Sequence, residues 1–347
     1  MSVTARRLAD DPALGLPVRS EQLWSRWPRA YAPLGVTGAL KESPEDFVVT
    51  EVAEPPVDEA GEHLYLYVQK RNLSTQVLAE RIANQLGLKR QEIGYAGMKD
   101  YKAVACQWFS APVSGSPDID YGDEVQELRR VRCAKKLRRG ELRCNEFNIR
   151  LVNVKGADGE RLAERLRTIA ADGAPNYFGP QRFGRDNLAQ ALAWLPFRRR
   201  ERNAFRRGLH LSVLRSYLFN EVLAQRVEQG SWAQCLPGEV PPSTPDVRLE
   251  SATQPDARPS GPLWGRGRNL AGAELAVLEQ HVLEPHAELL EALEFTGLKQ
   301  ARRALALRPQ DLRWSVEGEA LRLQFALAPG TYATSLLREL GSFEAVA

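Results

Sequence analysis

The sequence is poor in residues that bind metals or form disulfides. Its 347 residues include four cysteines and four histidines. The cysteines form no Cys-x-x-Cys pair and the histidines show no metal-ligand spacing, so neither a disulfide framework nor a metal site is expected. These residues are Cys106, Cys133, Cys144, Cys235, His63, His210, His281 and His286.

Other absences narrow the class of protein further. No apolar stretch reaches membrane-spanning length, and the first residues lead into no hydrophobic signal core. We therefore expect a cytoplasmic protein that makes no contact with a membrane. The sequence also has no Walker A loop and no dinucleotide-binding glycine fingerprint, so we expect no cofactor.

What is present is typical of a globular protein. Hydrophobic residues make up 43% of the chain and charged residues 26%, and the length suits two domains with a sizeable core. Strand-like alternation at both ends encloses a helical middle third. This pattern indicates one α/β domain that is split by a helical insertion. The expected strands are residues 47–52, 64–68, 106–109, 147–154, 312–316 and 321–327, the last two forming a hairpin around Gly318.

Helices are predicted from apolar residues at helical spacing. Ser74 is a suitable N-cap for the first of them, and Gly87 a suitable end. Residues 1–29 show no clear period, and the proline-rich segment 236–267 is predicted to be a long loop. The expected helices span about residues 74–86, 160–171, 187–227, 273–307 and 333–340.

Two clusters of basic residues stand out from a net charge of only +3. The first contains a single acid, Glu141, and the second is interleaved with Phe197 and Phe205. Such clusters neutralise phosphates, and arginine also stacks on bases, although either cluster alone also fits a solvated basic face. The clusters are Arg129, Arg130, Arg132, Lys135, Lys136, Arg138, Arg139 and Arg143, and Arg198, Arg199, Arg200, Arg202, Arg206 and Arg207.

One segment, residues 94–109, concentrates the features of a reactive site. It reads Gly-Tyr-Ala-Gly-Met-Lys-Asp-Tyr-Lys-Ala-Val-Ala-Cys-Gln-Trp-Phe, with Asp100 between Lys99 and Lys102. Neighbouring ammonium groups favour the ionised form of a carboxylate, and an ionised carboxylate on a loop can act as a nucleophile. Spacing alone, however, favours an ordinary turn aspartate at the end of a strand.

The order Gly-x-Lys-Asp-x-x-Ala-Val-x-x-Gln-Trp in this segment resembles the active-site motif of the TruD family of tRNA pseudouridine synthases. In that family the aspartate is the catalytic nucleophile. Four further segments match the family in the same order, so the resemblance spans nearly the whole chain. They are residues 41–49 (Lys-Glu-Ser-Pro-Glu-Asp-Phe-Val-Val), 145–147 (Asn-Glu-Phe), 175–184 (Pro-Asn-Tyr-Phe-Gly-Pro-Gln-Arg-Phe-Gly) and 330–340 (Gly-Thr-Tyr-Ala-Thr-Ser-Leu-Leu-Arg-Glu-Leu).

The resemblance implies an α/β (α+β) fold in two parts. A pseudouridine synthase catalytic domain, with a mixed and largely antiparallel sheet, is expected at residues 30–173 and 307–347. A mainly helical insertion domain is expected at residues 174–306, and an irregular lead-in at residues 1–29. The implied activity is isomerisation of uridine to pseudouridine at position 13 in the D arm of tRNA, with the target base flipped out. By the same analogy the protein is a monomer whose partner is tRNA.

The resemblance also implies which residues act. Asp100 is the expected nucleophile, and Lys41 matches the lysine that accompanies it in the family. Lys99 is closer in sequence, but side chains of adjacent residues diverge on an extended backbone, so we expect Lys41 to be the partner. Lys99 is then expected among the residues that bind substrate.

The remaining substrate-binding residues follow from the same motifs. Phe47, Phe147 and Tyr332 match positions that line the nucleotide pocket, and Asn145 matches the asparagine that contacts the substrate. Tyr332 replaces a phenylalanine that is familiar at its position, so its hydroxyl requires a partner or water. Without the resemblance, Phe47 and Phe147 would be interpreted as core residues of strands.

Two other functions remain open at this point. A non-catalytic RNA-binding protein would use the basic clusters without needing Asp100. A hydrolase with an aspartate nucleophile would require a second carboxylate as acid and base. Glu45 and Asp46 qualify for that role only if the fold brings them close to Asp100.

Overall fold

The computed structural model describes residues 20–156, 158–184, 186–195, 203–242 and 258–345. Fourteen strands lie among these residues. They are β1 (Val36–Leu40), β2 (Phe47–Val52), β3 (His63–Arg71), β4 (Gly94–Tyr95), β5 (Val104–Pro112), β6 (Val125–Cys133), β7 (Cys144–Lys155), β8 (Ala174–Pro175), β9 (Ser260–Leu263), β10 (Ala301–Ala304), β11 (Ala306–Leu307), β12 (Gln310–Glu317), β13 (Ala320–Leu327) and β14 (Gly341–Ala345).

The helices of the described residues are mostly short, and three further 3₁₀ turns accompany them. None of these helices combines the length and apolarity needed to cross a membrane. The helices are α1 (Ser20–Arg26), α2 (Thr75–Gln85), α3 (Gly159–Asp172), α4 (Pro180–Phe183), α5 (Asn187–Trp194), α6 (Ala204–Glu228), α7 (Ala273–Leu283), α8 (Ala287–Glu294) and α9 (Ala333–Arg338), and the 3₁₀ turns are Pro44–Asp46, Arg90–Glu92 and Glu284–His286.

The chain divides into two compact units. The first, here called the sheet unit, comprises Leu34–Ala171, Pro309–Ala333 and Leu340–Ala347. The second, the helical unit, comprises Met1–Pro33, Asp172–Arg308 and Thr334–Glu339. Both units are therefore assembled from segments that are distant in sequence.

The sheet unit is built on ten strands in one mixed sheet. The main order is β12-β13-β7-β2-β5-β3-β6, with β1 beside both β7 and β14, and β4 beside β5. Within this sheet the β1–β14 and β2–β5 pairs are parallel. The other described pairs are antiparallel. The predicted α/β class with a mixed, largely antiparallel sheet is confirmed.

One face of the sheet is covered by helix α2. Alternate residues of β3 point toward this face, where Leu64, Leu66 and Val68 pack with Leu78 and Ile82 of α2. The helix starts as predicted, because the Ser74 side chain accepts a hydrogen bond from the backbone N–H of Val77 at 3.2 Å. Removing one of these fully buried leucines would cost about 2–5 kcal/mol.

Strands β1 and β2 lie one after the other along the same edge of β7. Leu40 of β1 is in register with Leu151, and Phe47 of β2 with Ile149. Between them the backbone turns at Lys41, whose φ of +60° is left-handed and unusual for a residue with a side chain. A non-glycine residue held in this conformation costs about 1–3 kcal/mol, and such costs are concentrated at functional sites.

In the helical unit, the long helix α6 supplies much of the core. Leu214, Leu218 and Val222 on one face of α6 are fully buried, as their spacing predicts. Asn220 of the same helix is also buried and binds the backbone of Phe178 in both directions, at 2.9 Å each. Trp27 stacks on Tyr177 with ring centroids 5.8 Å apart.

The predicted strands 47–52, 64–68, 106–109 and 147–154 are confirmed, as is the β12–β13 hairpin with Gly318 at φ +60°. Residues 20–26 of the supposedly irregular lead-in form helix α1, and residues 260–263 of the supposed loop form β9. Residues 1–19, residues 243–257 of that loop and residues 196–202 of the second basic cluster lie outside the described residues.

The prediction of a helix through residue 307 is wrong. The helical part ends at Glu294, and residues 301–304 form strand β10, which pairs with β9. Within that strand Arg302 is buried and paired with Glu279 at 2.5 Å. In the sequence, a charged residue that is buried in an ion pair cannot be distinguished from one on the exposed surface of a helix.

Candidate active site

Asp100 lies on the loop of residues 96–103 between β4 and β5. The backbone N–H of Lys99 donates to Thr75 Oγ1 at 2.9 Å, and that hydroxyl donates to Gln107 at 2.8 Å. Lys70 Nζ donates to the backbone carbonyl oxygen of Asp100 at 2.8 Å. Thr75, Gln107 and Lys70 are buried on a helix and two strands, so their hydrogen bonds fix the position of the loop that carries the Asp100 carboxylate.

The ammonium beside Asp100 belongs to Lys41. Lys41 Nζ lies 2.8 Å from Asp100 Oδ2, with the lysine side chain 12% exposed and the aspartate side chain 33% exposed. Asp100 Oδ1 accepts no hydrogen bond from any described residue. The carboxylate therefore has a fixed counter-ion on one oxygen and an accessible oxygen on the other, which is the arrangement a carboxylate nucleophile requires.

Three phenylalanines of neighbouring strands lie beside this pair. Lys41 Nζ sits over the Phe47 ring, 4.0 Å from its centroid. Phe47 contacts Phe147 edge to face at 6.0 Å, and Phe147 stacks on Phe325 at 5.4 Å. Phe47 and Phe325 are buried while Phe147 is half-buried, so the rings form one aromatic wall that ends at the Lys41 ammonium.

A second lysine–carboxylate pair lies on the same face of the sheet. Lys99 Nζ donates to Glu51 Oε2 and to Asn145 Oδ1, at 2.7 Å in both cases. The Glu51 and Lys99 side chains are 0% and 5% exposed. Glu51 and Asn145 are in register on β2 and β7, as are Val49 and Phe147, so this pair adjoins the aromatic wall.

Lys70 helps to fix this loop without a carboxylate of its own. It is fully buried, and its ammonium donates to the carbonyl oxygens of Leu73 at 2.6 Å and of Asp100. Burial lowers the pKa of Lys70 to about 8, although the nearby Asp100 charge opposes this change.

The contacts above do not involve Tyr332, which is half-buried on the turn between β13 and α9. Strand β13 ends at Leu327 beside Asn145, so this turn leaves the sheet at the Asn145 end. The acids that a hydrolase would require have other partners. Glu45 pairs with Arg71 at 2.6 Å, and Asp46 accepts from the Ser43 N–H at 2.7 Å and from Arg150 at 3.2 Å.

The first basic cluster divides into two kinds of residue. Arg130 pairs with Glu127 at 2.5 Å, and Arg132 donates to several backbone carbonyls of the sheet unit. Lys135, Arg138 and Arg143 are instead exposed around a cavity. Its floor includes Trp108, and alternation along β5 places Trp108 on the sheet face opposite Gln107. The cavity therefore lies on the opposite face from the Lys99–Glu51 pair.

Sequence reasoning missed Glu51 and Lys70, and both carried a signal. Glu51 follows Phe47 and Val49 on the inward face of β2, and Lys70 continues the inward series of β3. A charged residue at a position where alternation requires an apolar one indicates a buried polar contact. Such a position is a candidate for a role in the site, even when no motif marks it.

Comparison with known proteins gives matches over most of the chain. A family model described as tRNA pseudouridine synthase D (TruD) matches residues 30–193 and 203–340. A tRNA pseudouridine synthase D of Cellvibrio japonicus is 43% identical, with 91% of this chain and 93% of the relative covered. One of Methylococcus capsulatus is 42% identical, with 91% and 94% covered.

A solved structure from Methanosarcina mazei, described as a putative tRNA pseudouridine synthase D, shares the fold. The TM-score is 0.62 at 20% identity, with 93% of this chain and 98% of that one covered. The family model and the curated relatives place the chain among the isomerases that modify RNA. The chain belongs to the tRNA pseudouridine synthase D (TruD) family.

Proposed function

We propose that this protein isomerises uridine to pseudouridine in tRNA and that Asp100 is its nucleophile. The single observation that carries the mechanism is the Asp100 carboxylate, held by Lys41 on one oxygen and accessible at the other. Family membership supports the reaction, and the geometry supports the choice of residue.

The reaction requires no redox step and no activated donor. The bond between ribose C1′ and uracil N1 breaks, the base rotates, and a bond forms between C1′ and C5. The proton that leaves C5 is balanced by the proton that N1 gains. An Asp100 oxygen forms a transient covalent bond to the nucleotide and is released when the C1′–C5 bond is complete. Lys41 neutralises the carboxylate before and after this step.

The target base has to leave its stack to reach Asp100. We assign the aromatic wall of Phe47 and Phe147 to holding the flipped base, together with Tyr332 as the family resemblance implies. Asn145 contacts the nucleotide through its carboxamide. Lys99 has its ammonium engaged by Glu51 and Asn145, so it acts on the substrate through Asn145.

The two predicted domains have separate roles in this proposal. The catalytic domain, residues 30–173 and 307–347, supplies the residues assigned to the reaction, and the insertion domain, residues 174–306, supplies none of them. The exposed residues of the first basic cluster bind tRNA phosphates outside the target nucleotide. The target is position 13 in the D arm, and the enzyme acts as a cytoplasmic monomer.

The test is to incubate the protein with unmodified tRNA and to map pseudouridine at single-nucleotide resolution by mass spectrometry. We expect one new pseudouridine, in the D arm. Binding without any product would favour a non-catalytic RNA-binding protein. Free uracil in the product mixture would identify a hydrolase instead.

A further inference from the structure

Glu51 is a fully buried carboxylate that the proposed chemistry does not use. It occupies an inward position of β2 where Phe47 and Val49 precede it, and its side chain is 0% exposed. Burying an ionised group is unfavourable unless partners surround it. Apolar packing therefore does not explain why a glutamate occupies this position.

The partners of Glu51 form a short chain of hydrogen bonds. One carboxylate oxygen accepts from the backbone N–H of Trp108 at 3.2 Å, and the other from Lys99 at 2.7 Å. Lys99 Nζ donates a second hydrogen bond to Asn145 Oδ1 at 2.7 Å. Glu51 thus holds the Lys99 ammonium in a position from which it donates to the Asn145 side chain.

An ammonium group only donates hydrogen bonds. Beside Lys99, therefore, the carboxamide of Asn145 must present its oxygen and direct its Nδ2 group away from the lysine. No described residue accepts a hydrogen bond from that Nδ2 group, and Asn145 is half-buried on the face that carries the aromatic wall. The outward end of the Asn145 carboxamide is a hydrogen-bond donor.

We propose that Glu51 is a positioning residue. Through Lys99 it fixes the orientation of the Asn145 carboxamide, so that Nδ2 donates a hydrogen bond to a carbonyl oxygen of the target base. This inference rests on the proposed function. It assigns Glu51 and Lys99 to orienting Asn145 and places neither of them in contact with the nucleotide. Without the hydrogen bond from Lys99, the Asn145 carboxamide can rotate, and in part of the molecules it presents its oxygen to the base.

A double variant that removes both charges separates the effect on the orientation of Asn145 from the effect on the stability of the protein. Glu51→Gln alone leaves the Lys99 ammonium buried without its counter-ion, so this variant loses thermal stability. Glu51→Gln combined with Lys99→Met removes both charges, and we expect its melting temperature to return toward that of the wild type. Its single-turnover rate should still be reduced about tenfold, as the loss of one aligned hydrogen bond predicts.

The loss of single-turnover rate in the double variant should depend on Asn145 alone. In an Asn145→Ala background, the Glu51→Gln/Lys99→Met pair should cause no further loss of rate, because the group that it orients is absent. Glu279→Gln is the matched control, since it breaks a buried ion pair of the helical unit at 4% and 1% exposure. It should lower the melting temperature and leave the single-turnover rate unchanged.

Two results would overturn the inference. One is a double variant whose rate recovers together with its stability, which would make the pair structural only. The other is a full additional loss of rate in the Asn145→Ala background. Failure of the proposed function would look different, because the wild type itself would then form no pseudouridine.

Discussion

The two lysine–carboxylate pairs of the sheet unit are alike in chemistry and differ in their surroundings. The Nζ–O distance is 2.8 Å in Lys41–Asp100 and 2.7 Å in Lys99–Glu51. Asp100 is 33% exposed and has an accessible oxygen, whereas Glu51 is 0% exposed and both its oxygens accept hydrogen bonds. The two carboxylates differ in exposure and not in ion-pair length. Asp100 can therefore reach a substrate, whereas Glu51 can only position the groups around it.

The backbone reinforces this difference. Lys41 stands at a left-handed bend between two strands, and Asp100 on a loop, so their pair lies where the sheet is interrupted. Glu51 is within a strand and Asn145 near the start of another, so their positions are fixed by the ladder of β2 and β7. A reacting group needs access, whereas an orienting group needs rigidity.

The largest effect is expected from removing Lys41, the lysine of the more exposed pair. Lys41→Met leaves Asp100 without its counter-ion, and we expect kcat to fall on the order of 100-fold or more, because a fixed charge at the reacting group is lost. Lys41→Arg keeps the charge and should retain much more activity. Single-turnover pseudouridine formation measures both. Equal activity of Lys41→Met and wild type would remove Lys41 from the mechanism.

Lys70 differs from the lysines of both pairs, because it is a buried ammonium with no carboxylate of its own. Its pKa is lowered by burial from 10.5 to about 8, so between these values the unfolded chain binds a proton that the folded chain has lost. The free energy of unfolding contributed by Lys70 therefore rises with pH across that window, by about 3 kcal/mol in total.

Chemical denaturation of wild type and Lys70→Met at several pH values, from about 7.5 to about 10.5, measures this contribution. The stability of wild type relative to Lys70→Met should rise with pH and level off at the upper end. A difference that stays constant, or falls, would show that the buried ammonium carries no such penalty.

The smallest effects are expected for charges outside both pairs. Lys135→Ala should weaken tRNA binding with kcat unchanged, and should reduce the salt slope of log K by about one if Lys135 neutralises a single phosphate. Arg132→Ala is the matched control, since Arg132 is engaged by backbone carbonyls and should affect stability more than the salt slope. Equal salt slopes for Lys135→Ala and wild type would remove Lys135 from the RNA-binding surface.

Much of the sheet unit could be predicted from the sequence, because its central strands alternate clearly and its hairpin contains a glycine at the turn. Strand β6 was missed because it lies at the edge of the sheet, where only Cys133 of its residues is buried and charged residues suit the position. Strand β10 was missed because its two arginines are buried, which periodicity cannot reveal.

For the site, motif order indicated Asp100, Lys41 and the aromatic residues. The contact of Lys99 with Glu51 could not be predicted, since it depends on how the Asp100 loop packs against β2 and not on local pattern. The inward position of Glu51 was visible in the alternation of β2, but its partner was not. Local sequence predicts which face a residue occupies, and only the fold determines what it meets there.

The most direct test of the account is the Asp100→Asn variant, which keeps the size of the side chain and removes its nucleophilic charge. Single-turnover pseudouridine formation and the Kd for unmodified tRNA are measured on the same preparation. We expect no product above background and a Kd within about twofold of wild type, because phosphate contacts dominate tRNA affinity. Product formed at the wild-type rate would contradict the assignment of Asp100 as the nucleophile.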